Sequence, residues 1–254
     1  MFSLAGKKAL VIGIANEDSI AYGCAQSFRA QGAELAVTFQ DERAERYVRP
    51  LAERLGTDIV LPLDVRLDEQ FGQLFDAIRR RWRQVDICLH SIAFCPKQDL
   101  HARVVDCSRA GFVTAMEISV YSFIRMVRAA EPLMADGGAC MTVSFLGSER
   151  VVEHYNIMGP VKAALEASTR YMAAELGPRG IRVHALSPGP LKTRAASGIG
   201  HFDEMLNTAA ARAPTHQLAS IEDVGAYAAF LASGEAANVT GCVHYIDGGY
   251  HIVG

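Results

Sequence analysis

The chain has 254 residues, half of them hydrophobic and 21% charged, and its formal net charge is -3. That length suits one α/β domain, residues 1–254, with a substantial core, and the charge gives no reason to expect nucleic acid or an anionic membrane as partner. No apolar run approaches the length of a membrane span, and the start Met1-Phe-Ser-Leu-Ala-Gly-Lys-Lys lacks a secretory core.

Apolar, β-rich runs alternate with longer helical patterns along the whole chain, which predicts a Rossmann-like, doubly wound parallel sheet of about seven strands. The strands are expected at Ala9–Gly13, Glu34–Phe39, Ile59–Leu63, Ile87–Ser91, Ala139–Ser144, Arg182–Ser187 and Val243–Asp247. Helices are expected over Ser19–Gln31, Glu42–Leu55, Asp68–Trp82, Arg109–Met134, Tyr155–Leu176 and Ile221–Ala232. Right-handed crossovers then bring every strand's C-terminus to one edge, where ligands bind. The stretch Gly189–His216 breaks the alternation; its Leu191, Ile199, Phe202, Met205 and Leu206 suggest a lid, residues 190–216, over an apolar pocket. Six scattered cysteines with no CxxC pair read as reduced thiols in a cytoplasmic protein, and eight histidines without ligand spacing predict no metal.

The first strand runs into Gly13-Ile-Ala-Asn-Glu-Asp-Ser19-Ile20-Ala21-Tyr-Gly23. This is not G-x-G-x-x-G, yet the same work can be done: Gly13 permits a tight turn, Ser19 can cap the next helix, and free N–H groups there can hold a pyrophosphate. Gly23 is expected to let that helix lie close to the sheet. The plain alternative is a strand–turn–helix junction with a serine cap. At the end of the second strand, Gln40 offers a partner for a ribose hydroxyl and Asp41 repels a 2′-phosphate, which favours NADH; Arg43 and Arg46 keep NADPH as the alternative.

Tyr155 and Lys162 are seven residues apart, which on one helix places both on the same face, roughly 10 Å from each other. Lys162 can then hold a cofactor ribose while its charge favours the phenolate form of Tyr155, and the tyrosine hydroxyl can reach a substrate oxygen. This pairing resembles the catalytic signature of the short-chain dehydrogenases/reductases.

A more specific resemblance covers essentially the whole chain. Gly-Ile-Ala-Asn-x-x-Ser-Ile-Ala-x-Gly-x-Ala, His90-Ser-Ile-Ala-Phe94, Tyr155-Asn-Ile-Met-Gly159, Gly189-Pro-Leu-Lys-Thr193-Arg-Ala-Ala-Ser-Gly198-Ile199 and Asp247-Gly-Gly-Tyr occur in order. Together they resemble the NADH-dependent enoyl-acyl-carrier-protein reductases, a divergent branch of that superfamily. The resemblance implies hydride delivery to the β-carbon of a trans-2-enoyl thioester in fatty acid synthesis. Tyr155 is then the donor to the enolate oxygen, and Lys162 the residue that fixes ribose and tyrosine together. It assigns Gly13, Ser19, Ile20, Gln40, Asp64, Val65, Ser91, Ile92, Ala93, Leu191 and Thr193 to the cofactor. It assigns Phe94, Cys95, Leu100, Phe145, Met158, Ala195, Ile199, Phe202 and Met205 to an apolar acyl pocket, and it implies a homotetramer with a subunit contact at a C-terminal strand, Tyr250-His-Ile-Val-Gly254.

Two departures stand out. Phe145 replaces a tyrosine carried by many relatives ten residues before the catalytic one, so any role of that hydroxyl is lost and a pocket wall remains. The lid segment Ile199-Gly-His-Phe202-Asp203-Glu204-Met205 carries acids where relatives present bases, and Ala213-Pro-Thr-His-Gln217 lacks paired arginines. An acidic carrier should meet such a lid slowly, which leaves coenzyme A or a specialised carrier as alternative substrate bearers. A short-chain carbonyl reductase is a further alternative, although Thr142 stands where that class usually has serine. A non-catalytic cofactor-binding relative is another.

Overall fold

The computed structural model describes residues 2–193 and 200–253. Seven parallel strands form one sheet: β1 (Lys8–Ile12), β2 (Glu34–Phe39), β3 (Ile59–Pro62), β4 (Ile87–His90), β5 (Gly138–Val143), β6 (Ile181–Pro188) and β7 (Val243–Ile246). Their order is β3-β2-β1-β4-β5-β6-β7, with Val11 facing Val37 on one side and Leu89 on the other. All seven expected strands are present, each within a residue or two of its expected bounds.

Strand side chains alternate between two cores, as the pleat requires. On one face Leu10, Ile12, Cys88, Cys140 and Val183 pack under α3 (Asp68–Trp82) and the helices that follow β4 and β5. On the other, Ala9, Val11, Leu89, Met141 and Leu186 pack against α1 (Ile20–Ala30), α2 (Glu42–Leu55) and the Ile221–Ala232 helix. All six cysteines are free thiols, four of them buried.

After β4 a short α4 (Lys97–Leu100) precedes the long crossover. The single helix expected over Arg109–Met134 is divided into α5 (Arg109–Met116), a π turn at Glu117–Tyr121 and α6 (Ser122–Ala130), closed by a 3₁₀ turn at Glu131–Leu133. The cause lies in two serines. Ser122 Oγ donates back to the Ile118 carbonyl at 2.6 Å, and Ser119 Oγ is tied to both the N–H and the carbonyl of Phe94. The Arg109–Leu133 stretch is, against the expectation above, long and apolar enough to match a membrane span, but half of that window is buried in the fold, as in an ordinary core helix.

The chain then runs through α7 (Met158–Leu176), α8 (Phe202–Arg212), α9 (Ile221–Ala232) and α10 (Tyr250–Val253). The expected C-terminal strand is thus β7 followed by a short helix. Gly23 serves a different contact from the expected one. A Cβ there would strike the Ile221 carbonyl, and one on Gly225 would strike the Gly23 carbonyl, so these glycines let α1 and α9 cross closely.

Candidate active site

A cavity of about 930 Å³ opens at the carboxyl ends of β1, β4, β5 and β6. Its floor begins at Gly13, whose φ is +108° and whose missing Cβ leaves room for the Ser91 carbonyl; a side chain there would close the approach. Ser19 does not cap α1 as expected. Its Oγ instead accepts from the N–H groups of Ala15 and Asn16, both at 3.0 Å, and donates to Asn16 Oδ1. With no capping bond from the Ser19 side chain, the start of α1 can offer its leading N–H groups to an anion at the cavity edge. That junction, and the glycine cleft beside it, fits a dinucleotide's pyrophosphate.

Tyr155 and Lys162 both line this cavity, but not from one helix face. The helix starts at Met158; Tyr155 sits in the turn before it, between His154 and Asn156, whose φ values are +64° and +44°. Asn156 Nδ2 anchors the turn on the Leu100 carbonyl at 2.8 Å. The tyrosine ring packs on Phe145, centroids 4.9 Å apart, and on Gly147, where a Cβ would lie 2.5 Å from its Cδ1. Sequence reasoning missed Gly147, whose need is purely tertiary.

The electrostatics keep Tyr155 in the protonated form that its expected role as donor requires, although the expected pull of Lys162 toward the phenolate does not prevail. Burial, and then the nearby Glu166 carboxylate, push the Tyr155 phenol above its ordinary value, so the phenol form is held rather than the phenolate. Lys162 is 4% exposed; burial pulls its ammonium down to about 8, against an opposing pull from Glu166. One of its three N–H groups donates to the Val143 carbonyl at 2.6 Å. Glu166, four residues on, accepts from Ser144 Oγ and, at 2.7 Å, from Ser148 Oγ. A charged pair at i and i+4 within an apolar stripe was the available signal for it.

His90 ends β4 fully buried, its Nδ1 3.0 Å from Thr142 Oγ1 and its Nε2 2.7 Å from Ser122 Oγ. Because Ser122 spends its proton on Ile118, His90 donates through Nε2 and accepts at Nδ1 from Thr142. Burial, with Lys162 nearby, holds the imidazole neutral, down to about 3. Thr142 is therefore committed beneath the sheet edge.

Of the residues expected to touch cofactor, Gly13, Ser19, Ile20, Ser91, Ile92, Ala93, Lys162, Leu191 and Thr193 line the cavity. Gln40, Asp64 and Val65 lie outside its lining. Gln40 is exposed at the end of β2 beside Asp41, which caps α2 by accepting from Ala44 N–H at 2.8 Å. The Arg66 guanidinium holds the Asp64 carboxylate below its usual range, so that group is engaged within its own loop. Among the expected acyl contacts, Phe94, Cys95, Leu100, Phe145, Met158 and Phe202 line the cavity; Met205 is half-buried on α8 outside it. Ala195 and Ile199 lie outside the described residues. No cluster of three or more metal-ligating side chains occurs among the described residues.

A phenol and an ammonium facing one cavity, at the carboxyl edge of a parallel sheet entered through a glycine turn, define a dinucleotide-dependent oxidoreductase of the short-chain type. Residues 13–251 match the family described as enoyl-(acyl carrier protein) reductase. The enoyl-[acyl-carrier-protein] reductase [NADH] of Nostoc sp. is 46% identical over the full length of both chains, and that of Rickettsia felis is 46% identical over 99% of this chain and 96% of its own. Among solved structures, the Bacillus cereus enoyl-acyl carrier protein reductase with NADP+ and indole naphthyridinone superposes with a TM-score of 0.97, at 44% identity over the whole of both chains. The Anaplasma phagocytophilum enzyme in complex with NAD gives 0.95, at 43% identity over 100% of this chain and 97% of that one. The chain belongs to the enoyl-acyl-carrier-protein reductase family.

Proposed function

We infer that this protein is an NADH-dependent reductase of the trans-2 double bond of enoyl-acyl-carrier-protein thioesters in fatty acid synthesis. The carrying observation is a protonated phenol and a buried ammonium on the walls of one cavity whose far end is a glycine turn and an uncapped helix start. NADH supplies the hydride when bound. Gly13, Ser19, Ile20, Ser91, Ile92 and Ala93 form its bed, Leu191 and Thr193 its cover, and Lys162 the hold on its ribose. Gln40, with the Asp41 carboxylate beside it, favours a free 2′-hydroxyl.

As the β-carbon of the enoyl thioester is reduced, negative charge collects on the thioester oxygen. Tyr155 donates its hydrogen bond there; one such donor in a dry site is worth about 2.7–4 kcal/mol. A phenol pushed upward by burial keeps its proton across the physiological range, which suits a donor. Phe94, Leu100, Phe145, Met158 and Phe202 supply apolar wall for the acyl chain, each buried CH₂ gaining about 0.8 kcal/mol. We take residues 190–216, of which 194–199 lie outside the described residues, as the lid, with α8 as its helical part, over one domain spanning the chain.

The bearer of the acyl group is the finer question. Asp203 and Glu204 stand at the start of α8 with side chains 88% and 79% exposed, Asp203 near Lys192 and Glu204 near His201. This acidic rim weakens encounter with an acidic carrier and keeps coenzyme A or a specialised carrier as the alternative bearer. Exposed Phe112, Val113 and Tyr121 around α5 and Tyr171 on α7 support a homotetramer formed through these helices. Free cysteines fit a reducing cytoplasm.

NADH oxidation with a crotonyl thioester tests the reading. Turnover with the thioester supports it; turnover only with ketones makes the protein a carbonyl reductase, and NADH binding without turnover makes it a non-catalytic relative. The engagement of Thr142 by His90 speaks against the carbonyl reductase.

A further inference from the structure

Glu166 is a carboxylate sealed beneath the cavity at 3% exposure, with Lys162 one helical turn before it on the same buried face of α7. Its Oε1 accepts from two hydroxyls that flank the Phe145–Gly147 loop, Ser144 at one end and Ser148 at the other. That loop is the wall on which the Tyr155 ring rests. The carboxylate therefore touches the structures that hold the donor while lying too deep to touch the substrate.

We propose that Glu166 is a positioning residue of the reduction, clamping the Ser144–Ser148 loop beneath Tyr155 and acting on the cofactor through the charge of Lys162. The proposal rests on the reading of this cavity as an NADH site. One buried negative charge favours the protonated form of both neighbours. It opposes the loss of the Lys162 proton that burial drives, and it adds to the upward push on the Tyr155 phenol. The other titratable groups facing this pair are His90 from β4, neutral through burial, and Tyr245 from β7, whose phenol burial and then the Glu149, Glu166 and Asp247 carboxylates push upward. Glu149 and Asp247 act on Tyr245, whereas Glu166 is the carboxylate that acts on both Tyr155 and Lys162, so the anionic role at this pair falls to Glu166.

The test is the NADH dissociation constant across pH, read by nicotinamide fluorescence, for the wild-type protein, Glu166→Gln and Glu166→Asp. Wild-type binding weakens as pH rises through about 8, where Lys162 loses its proton. In Glu166→Gln, which keeps the shape and an acceptor for the serines, the weakening comes about one to two pH units lower. In Glu166→Asp, which keeps the charge but draws back from the serines, the pH of weakening stays near wild type while turnover falls severalfold. A Glu166→Gln profile that weakens at the wild-type pH overturns the proposal, as does a uniform loss of affinity with no shift along the pH axis. If Glu166→Gln does not fold, Glu166→Asp decides. An unchanged pH of weakening with reduced turnover supports the proposal, and a profile displaced downward by a unit or more overturns it. A wild-type protein that neither binds NADH nor reduces the thioester refutes the parent reading instead.

Discussion

The two ends of the cavity carry the same functional group in opposite surroundings. Under the floor, Glu166 is 3% exposed, accepts two hydroxyl hydrogen bonds and shifts both Tyr155 and Lys162. On the rim, Asp203 and Glu204 have side chains 88% and 79% exposed. A carboxylate in a low-dielectric interior sets the protonation of its neighbours, whereas one in water is screened within about 10 Å and acts on the approach of other charges. On the proposed reading the floor acts on the chemistry and the rim on encounter. The two should separate cleanly under mutation.

The largest effect belongs to the floor. Tyr155→Phe keeps the ring on Phe145 and Gly147 but removes the donor, and kcat for a crotonyl thioester should fall by about 10²–10³ with NADH affinity unchanged. A fall in NADH binding of similar size would move Tyr155 from catalysis to cofactor binding. Gly147→Ala comes next. Its new methyl would sit 2.5 Å from Tyr155 Cδ1, the ring must shift, and kcat should drop by about tenfold to a hundredfold with little change in the KM for NADH.

The pH profile sharpens the same comparison. With Lys162 as the proposed ribose-holding acid, its ammonium pulled down by burial to about 8, kcat/KM for NADH should decline on the alkaline side of about pH 8. The Tyr155 phenol, raised rather than lowered, should contribute no alkaline limb beneath that of the lysine. The smallest effect lies on the rim. Asp203→Lys with Glu204→Lys should raise the rate on an acidic carrier's thioester by about threefold to tenfold at low salt, and high salt should erase the gain. Reduction of a short uncharged thioester should not change. A gain that survives high salt would mean that the rim shapes the pocket itself.

Much of this architecture was legible in the chain. Strand positions followed from apolar runs, and α2, α3 and α9 have the bounds expected from their sequence patterns; the structure adds that Asp41 caps α2 and that Ser220 forms a reciprocal cap with Asp223. What escaped the sequence depends on contacts between distant segments. The π turn exists because Ser119 holds Phe94, 25 residues away. Tyr155 leaves the helix pattern because Asn156 reaches back to Leu100. Gly23 answers to α9, about 200 residues on, rather than to the sheet beneath it. Most residues that line the cavity were among those the motifs pointed to. The sign of the tyrosine shift was not legible, since it turns on burial and on Glu166, which no motif singled out.

The most direct measurement uses NADH carrying deuterium at the transferred position, mixed with protein and a crotonyl thioester, with the product read by mass spectrometry and NMR. A butyryl thioester bearing one deuterium on its β-carbon is the predicted result. Deuterium on a carbinol carbon, or unreduced thioester alongside bound NADH, would contradict the account.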